Sequence, residues 1–463
     1  MDKWLVTALV LCTYGMLKEF KPSEPYLYRY QQRNLNISGD VLTAEVVKVY
    51  PYWTYSYLLF LVPAFLLTDV LLYKPILILE SVSYISVWIT LIFGRSVFSQ
   101  QLGQVLYGCA TATEVAYFAY IYVKVDRSKY ALVTVWTRAA LQIGKCFSYI
   151  LSQFIIMYNW GDLLTLNYIS LGSLILTFFF AVALPFVSWR TVVERQWNNC
   201  IINRKSTCTS LPIGTVRPLQ SQESRKPPKS YCEFVACRFS EFFTQFRAFF
   251  ADFHLMKWSL CWALASCGDL MVGNYVQVLW GEAQKDMHNA KVYNGFVEGA
   301  IPFLCEFLLF RYKVILAAMT LMGLQKPSVD WDKHGELCLS VAALVQFVVI
   351  LIMSLAESVY VMYASYALFR IVFQCMITIA QFNIVCRIAA NSTGFVFGFN
   401  MFTALALQTI VTFIVVDGRG LALFIRTQFL VYAGYHAFIA LVFATVLLWR
   451  RRCFFRRMFD DEI

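Results

Sequence analysis

Charge is scarce in these 463 residues: Asp, Glu, Lys and Arg together make up 14%, against roughly 25% in an ordinary soluble domain. That scarcity excludes a water-soluble globular fold, and the abundance of apolar residues excludes a disordered chain. Histidine is scarcer still, with four in the chain, and none pairs with a Ser or Cys motif of the hydrolase kind. Cys232 and Cys237 share a polar stretch but form no CxxC pair and have no nearby His, so no metal or cofactor is expected. Most other cysteines, such as Cys12, Cys109, Cys146, Cys261, Cys267 and Cys375, are scattered through apolar runs and read as small packing residues. The net charge of +11 is confined to a few loops and the tail, which argues against nucleic acid as a partner.

What the chain does have is 59% hydrophobic residues, 17% aromatics and a mean hydropathy of +0.59. Apolar runs of about 18 to 25 residues recur, which is the length needed to cross a bilayer as a helix. The expected fold class is an all-α polytopic membrane protein whose surroundings are the lipid bilayer. The first run begins at Trp4 and breaks at Lys18. No small-residue cleavage site follows, so it is expected to remain as a first membrane helix whose outer end is modified by Pro22 and Pro25.

Further apolar spans cover residues 52–72, 75–93, 102–123, 130–157 and 163–187, completing six. A basic stretch rich in Arg and Lys, with Pro227-Pro228 in its middle, separates them from six more over 258–280, 292–310, 337–356, 359–387, 394–416 and 427–449. The expected organisation is a six-helix half over 1–187, a cytoplasmic linker over 188–256, a second half over 257–449 and an Arg-rich tail over 450–463. About 12 transmembrane helices in two such halves is the major facilitator architecture. The positive-inside rule places both termini in the cytoplasm. The Asn36-Ile37-Ser38 sequon then falls outside, where Asn36 can carry a glycan, and Asn391-Ser392-Thr393 stays inside. Residues 303–331 fit this scheme poorly, and three readings stand: an extended helix, an interfacial segment, or an extra hydrophobic element.

An ionisable side chain at mid-bilayer costs roughly 2.5 to 3.5 kcal/mol on insertion scales, so each needs a partner or an aqueous cavity. The residues concerned are Glu24, Glu80, Glu114, Arg138, Lys145, Asp269, Glu298, Glu306 and Arg370. Glu114 sits well inside its span, with Tyr117 one helical turn on, so the carboxylate and the ring are expected to open together onto a cavity. A carboxylate beside aromatic faces suits an organic cation. The competing reading is a structural pair of Glu114 with Arg138 or Arg370. Trp53, within Tyr50-Pro51-Tyr52-Trp53-Thr54-Tyr55-Ser56-Tyr57, reads equally as an interfacial aromatic belt. Asn274 and Gln277 share a face and serve either a substrate or a helix-to-helix contact. Gln408 is an uncharged polar residue in mid-span.

Several strings resemble the animal reduced folate carrier and thiamine transporter family. They are Lys21-Pro22-Ser23-Glu24-Pro25, Trp53-Thr54-Tyr55-Ser56-Tyr57-Leu58, Leu67-Thr68-Asp69, Tyr73-Lys74-Pro75 and Glu114-Val115-Ala116-Tyr117. To these add Asn274-Tyr275-Val276-Gln277, Val292-Tyr293-Asn294-Gly295 and Val415-Val416-Asp417-Gly418-Arg419-Gly420. They occur in order over nearly the whole chain, and the central loop and the stretch 303–331 depart from the pattern. The resemblance implies a vitamin transporter of the major facilitator type. Its branches differ in substrate charge, since folates are anions and thiamine is a cation. Where the folate carrier has an arginine in the fourth span this chain has Glu114, and where it has a lysine in the eleventh span this chain has Gln408, both as in the thiamine transporters. At a third position Arg370 sides with folate.

By position, the resemblance makes Glu114 the counter-ion of a thiazolium, Tyr117 and Trp53 its aromatic walls, and Glu24 and Asn274 hydrogen-bond partners of an aminopyrimidine. Glu298 becomes a gating acid; Arg138, by its own position seven residues before Lys145 on one helix, reads as a gating or structural charge that pairs with acids elsewhere. Lys145, Glu80 and Asp269 are charges the vertebrate relatives do not lead one to expect. The expectation is a plasma-membrane carrier working by alternating access, with thiamine favoured and reduced folate the alternative. With no phosphate-binding loop, gradients or exchange would supply its energy. A transport-inactive receptor or scaffold is the remoter alternative, and no enzyme signature is present.

Overall fold

The computed structural model describes residues 3–35, 49–124, 129–190, 230–284, 292–304, 331–385, 393–417 and 420–460. Within these residues, helix forms wherever the sequence carries a long apolar run. α1 (Lys3–Glu19) gives way to a 3-10 turn (Glu24–Tyr26) and then α2 (Leu27–Arg33), because Pro22 and Pro25 cannot continue an α-helical ladder. α3 (Pro51–Val70) and α4 (Lys74–Phe93) each carry a proline in the first turn, where no intrahelical N–H is required. α5 (Val97–Thr113), α6 (Val115–Lys124), α7 (Tyr130–Met157) and α8 (Leu163–Ala183) follow. The Ser96 hydroxyl caps α5 by accepting from the Ser99 N–H at 3.1 Å, and Asp162 and Thr165 form a capping box at the start of α8.

The remaining helices are α9 (Tyr231–Ala251), α10 (Phe253–Gln284), a helical stretch over 294–304, α11 (Trp331–Leu355), α12 (Val359–Val385), α13 (Thr393–Val415) and α14 (Ile425–Asp460). No strand occurs among the described residues. The predicted spans coincide with these helices, with three refinements. The span over 102–123 is broken at Glu114 into α5 and α6, the stretch read as linker contains α9, and α14 runs on into the Arg-rich segment. Asn36, Asn391, Glu306 and residues 305–330 lie outside the described residues.

Seven of the helices are long and apolar enough to cross a membrane by length and composition alone, among the described residues. The polar residues singled out above divide between the two groups: Glu80, Arg138, Lys145, Arg370 and Gln408 sit on these spans, and Glu114, Asp269, Asn274, Gln277 and Glu298 on the α5–α6 pair, α10 and the stretch over 294–304. A span that lines a wet site gives up hydropathy to do so.

α1 lies against α7 at Gly144, where an added Cβ would stand 2.2 Å from the Met16 carbonyl. Only a missing side chain permits that approach. The halves meet along α3 and α13, where Tyr57, Leu61, Ala64 and Leu405 pack together. The turn between α3 and α4 holds Leu72 and Tyr73 at φ 61° and 69°. Those left-handed conformations are kept by burial of Tyr73 and by the Lys74 ammonium, which donates to the Val182 carbonyl at 2.7 Å.

Hydrogen bonds between α1–α8 and α10–α14 gather at one end of the bundle, where α7 finishes. Gln153 donates to the Val292 carbonyl at 2.7 Å and accepts from the Gly295 N–H at 3.1 Å. Asn294 donates to the Pro25 carbonyl at 3.3 Å, Gln277 to the Glu24 carbonyl at 3.0 Å, and the Tyr55 hydroxyl to Asp417 at 3.2 Å. These bonds hold the two groups of helices together at that end.

Candidate substrate site

The site is built where helices break. α1 ends just past Lys18, and the two prolines that follow turn the chain so that Lys21 and Glu24 point inward. Lys18, with a fully buried side chain, places its ammonium 3.0 Å from Glu80 and 2.8 Å from Glu114. Glu80 is equally buried, and its second oxygen accepts from the Tyr14 hydroxyl at 2.8 Å. Glu114 sits at the break between α5 and α6, and its side chain keeps 32% exposure. One of its oxygens holds Lys18 while the carboxylate still opens on the interior.

This corrects the expected neighbourhood of Glu114. The acid is not unpaired, and its partner is neither Arg138 nor Arg370. Tyr117 does not open onto the site with it. The ring is fully buried, stacked on Tyr14 at 5.6 Å, its hydroxyl donates to the Leu11 carbonyl at 3.1 Å, and Lys18 lies over its face at 5.1 Å. The ring of Trp53, by contrast, is half-buried. Its indole N–H donates to Thr111, one turn before Glu114, at 3.3 Å, and its ring contacts Tyr57 at 5.4 Å. Trp53 therefore faces α5 within the bundle.

Lys21 forms a second ion pair, 2.8 Å from Glu24. Its ammonium is enclosed by the rings of Tyr84, Tyr107 and Trp88 at 4.8, 5.6 and 5.8 Å, so the protein's own cation occupies an aromatic cage. Glu24 also accepts from the Tyr107 hydroxyl at 2.6 Å and from the Tyr149 hydroxyl. Both its oxygens are engaged. A third pair joins Arg370 of α12 to Asp269 of α10.

Glu298 and Lys145 are half-buried and have no ion-pair partner in contact among the described residues. Lys145, Arg370, Glu24 and Asp269 all act on Glu298 electrostatically, so these groups from both halves share one interior. Lys145 lies over the Tyr149 ring at 5.7 Å. Arg138 is exposed and lies over Phe118 at 5.9 Å, away from any acid in contact. Asn274 is half-buried without a hydrogen bond among the described residues, one turn from the Gln277 that contacts Glu24. Gln408 is fully buried, and neither its amide nitrogen nor its oxygen has a hydrogen-bond partner. Among the described residues no group of His, Cys, Asp and Glu is arranged to hold a metal ion.

Lys18, Lys21, Tyr14, Tyr107 and Tyr149 are among the residues of this interior that reading the sequence passed over. The signal for Lys18 was present: it ends an apolar run, and a lysine buried there demands an acid. A separate pocket of ≈ 210 Å³ lies between α2, α4 and α8, lined by Tyr30, Arg95 and Tyr168 among others, and holds none of these pairs.

The class defined by fold and site is a bundle of apolar helices grouped about a charged interior. Solved transporters share the fold at low sequence identity. The nucleoside transporter NupG matches with a TM-score of 0.58 at 12% identity, covering 96% of this chain and 99% of that one. A POT family transporter matches with a TM-score of 0.62 at 12% identity, covering 96% of each chain.

The chain belongs to the reduced folate carrier family, whose model matches residues 2–431. It is 39% identical to Folate-like transporter 3 of Caenorhabditis elegans, over 99% of both chains. Folate transporter 1 of the same organism is 37% identical, over 95% of this chain and 91% of that one. Human Thiamine transporter 1 is 35% identical, over 95% of this chain and 89% of that one. The family and the structural neighbours are transporters and not enzymes.

Proposed function

We propose that this chain carries thiamine, or a close organic cation, across the plasma membrane by alternating access, with Glu114 as counter-ion. One observation carries the reading: the cations of the interior are already taken. Lys18 is held by Glu80 and Glu114, Lys21 by Glu24, and Arg370 by Asp269. Among the described residues of this interior, Lys145 is the cation with no acid in contact, and with Glu19 beside Lys21 at 4.0 Å, the six acids Glu19, Glu24, Glu80, Glu114, Asp269 and Glu298 outnumber the four cations Lys18, Lys21, Lys145 and Arg370 by two if all are ionised. Such an interior attracts a monocation and repels a dicarboxylate.

Trp53 supplies a ring near Glu114, and Asn274 a carboxamide free to meet a heterocycle. Gln408 leaves the eleventh span uncharged. Glu298, facing Lys145 across the halves, suits a gating role. With both termini in the cytoplasm and Asn36 outside, the end joined by hydrogen bonds is the extracellular one. Reduced folate is the second reading, favoured by the higher identity to the Caenorhabditis elegans relatives named for folate. Uptake of labelled thiamine and labelled reduced folate, side by side in cells lacking their own carriers, tests the choice. Thiamine flux is expected, and folate flux without thiamine flux would overturn the reading.

A further inference from the structure

The most unusual feature of the interior is one buried ammonium shared by two carboxylates. Lys18 touches Glu80 at 3.0 Å and Glu114 at 2.8 Å, yet the two acids differ in surroundings. Glu80 is sealed, with its remaining oxygen bonded to Tyr14. Glu114 is part-exposed, and a single oxygen of it contacts Lys18. Lys18 therefore has a permanent anchor on one side and a releasable contact on the other. A carboxylate left alone in a dry, closed interior is strongly disfavoured. A carrier that binds a cation through such a group meets that problem whenever it must change state empty.

Resting on the thiamine reading, we infer that Lys18 is a tethered stand-in for the substrate: it neutralises Glu114 in the empty carrier, letting the empty form reorient, and retreats onto Glu80 when a cation arrives. Glu80 sets how tightly Lys18 competes, because it divides the ammonium between two acids. The pair thus fixes both the apparent affinity for the cation and the ability to carry it in one direction without exchange. Any state of the protein in which the binding acid is occupied by Lys18 lowers apparent substrate affinity by the fraction so occupied.

Two variants with opposite expected signs test this. Glu80→Gln leaves Lys18 wholly to Glu114, and the KM for labelled thiamine should rise. Lys18→Met combined with Glu80→Gln removes one charge of each sign and bares Glu114. There the KM should fall, and uptake into unloaded cells should slow by about tenfold while exchange with preloaded thiamine is retained. Surface biotinylation normalises each measurement to carrier at the membrane.

A merely structural role for the pair would move both variants the same way and depress exchange along with net uptake; either result, or an unchanged KM in both, overturns the inference. Should the double variant fail to reach the surface, Glu80→Gln decides alone, and an unchanged or lowered KM there overturns it. Failure of the substrate reading is distinguishable because it shows in the unsubstituted protein as absence of thiamine flux, and it takes this inference with it.

Discussion

Arg370 and Asp269 clasp one another across α12 and α10, with side chains 30% and 14% exposed. The resemblance brings Arg370 to a position where a cation serves folate, but here that cation answers to a neighbouring acid. Removing one member of a part-buried pair leaves the other partly uncompensated, at a cost below the ~3–5 kcal/mol of a fully buried one. Arg370→Gln and Asp269→Asn are each expected to lower the melting temperature of the purified carrier. Their combination should recover most of the loss. Thermal melts of the three variants check this, and additive losses would show that the two residues act separately.

Glu114→Gln retains shape and leaves Lys18 compensated by Glu80. It removes a charge-assisted contact of about 1.5–3 kcal/mol, and thiamine uptake should fall by roughly 10- to 100-fold with surface amount unchanged. Kinetics of labelled uptake, normalised to carrier at the surface, are the measure. Unaltered uptake would remove Glu114 from the site.

Gln153 fastens the end where the two groups of helices are joined. Its carboxamide accepts from Tyr26 at 2.6 Å and from the Gly295 N–H, and donates to Val292. Gln153→Leu leaves buried polar groups unsatisfied at about 1–3 kcal/mol and should shift the carrier toward opening at that end. A membrane-impermeant thiol reagent applied from that side should then label Asn274→Cys faster with Gln153→Leu than without it. Gly295→Ala, whose Cβ would stand 2.6 Å from the Tyr149 carbonyl, is expected to act in the same direction.

Topology is tested at Asn36, outside the described residues. Asn36→Gln should abolish a glycosidase-sensitive shift on a gel. A shift that persists would contradict an extracellular first loop.

The helices were legible in the amino acids because a bilayer imposes one simple demand: about 20 apolar residues in a row with every backbone group satisfied internally. The breaks were partly legible. Pro22 and Pro25 announce the end of α1, whereas nothing local announces the break at Glu114 between α5 and α6. The site was legible as a set of misplaced charges and illegible as a set of partners. Glu80 and Asp269 looked like unexplained departures from the relatives, yet each closes an ion pair, with Lys18 and with Arg370.

By itself, then, the sequence determined the membrane class, the helix positions and the family, since these depend on local composition and on ordered strings. Tertiary structure alone decided that Lys18 and not an arginine meets Glu114, that Tyr117 lies sealed behind Lys18, and that Arg370 is neutralised. Those outcomes depend on the rotation of α1 against α4, α5 and α7. Close approaches such as Gly144 against Met16 set that rotation, and residues some hundred positions apart acquire a common charge balance only once the helices are packed.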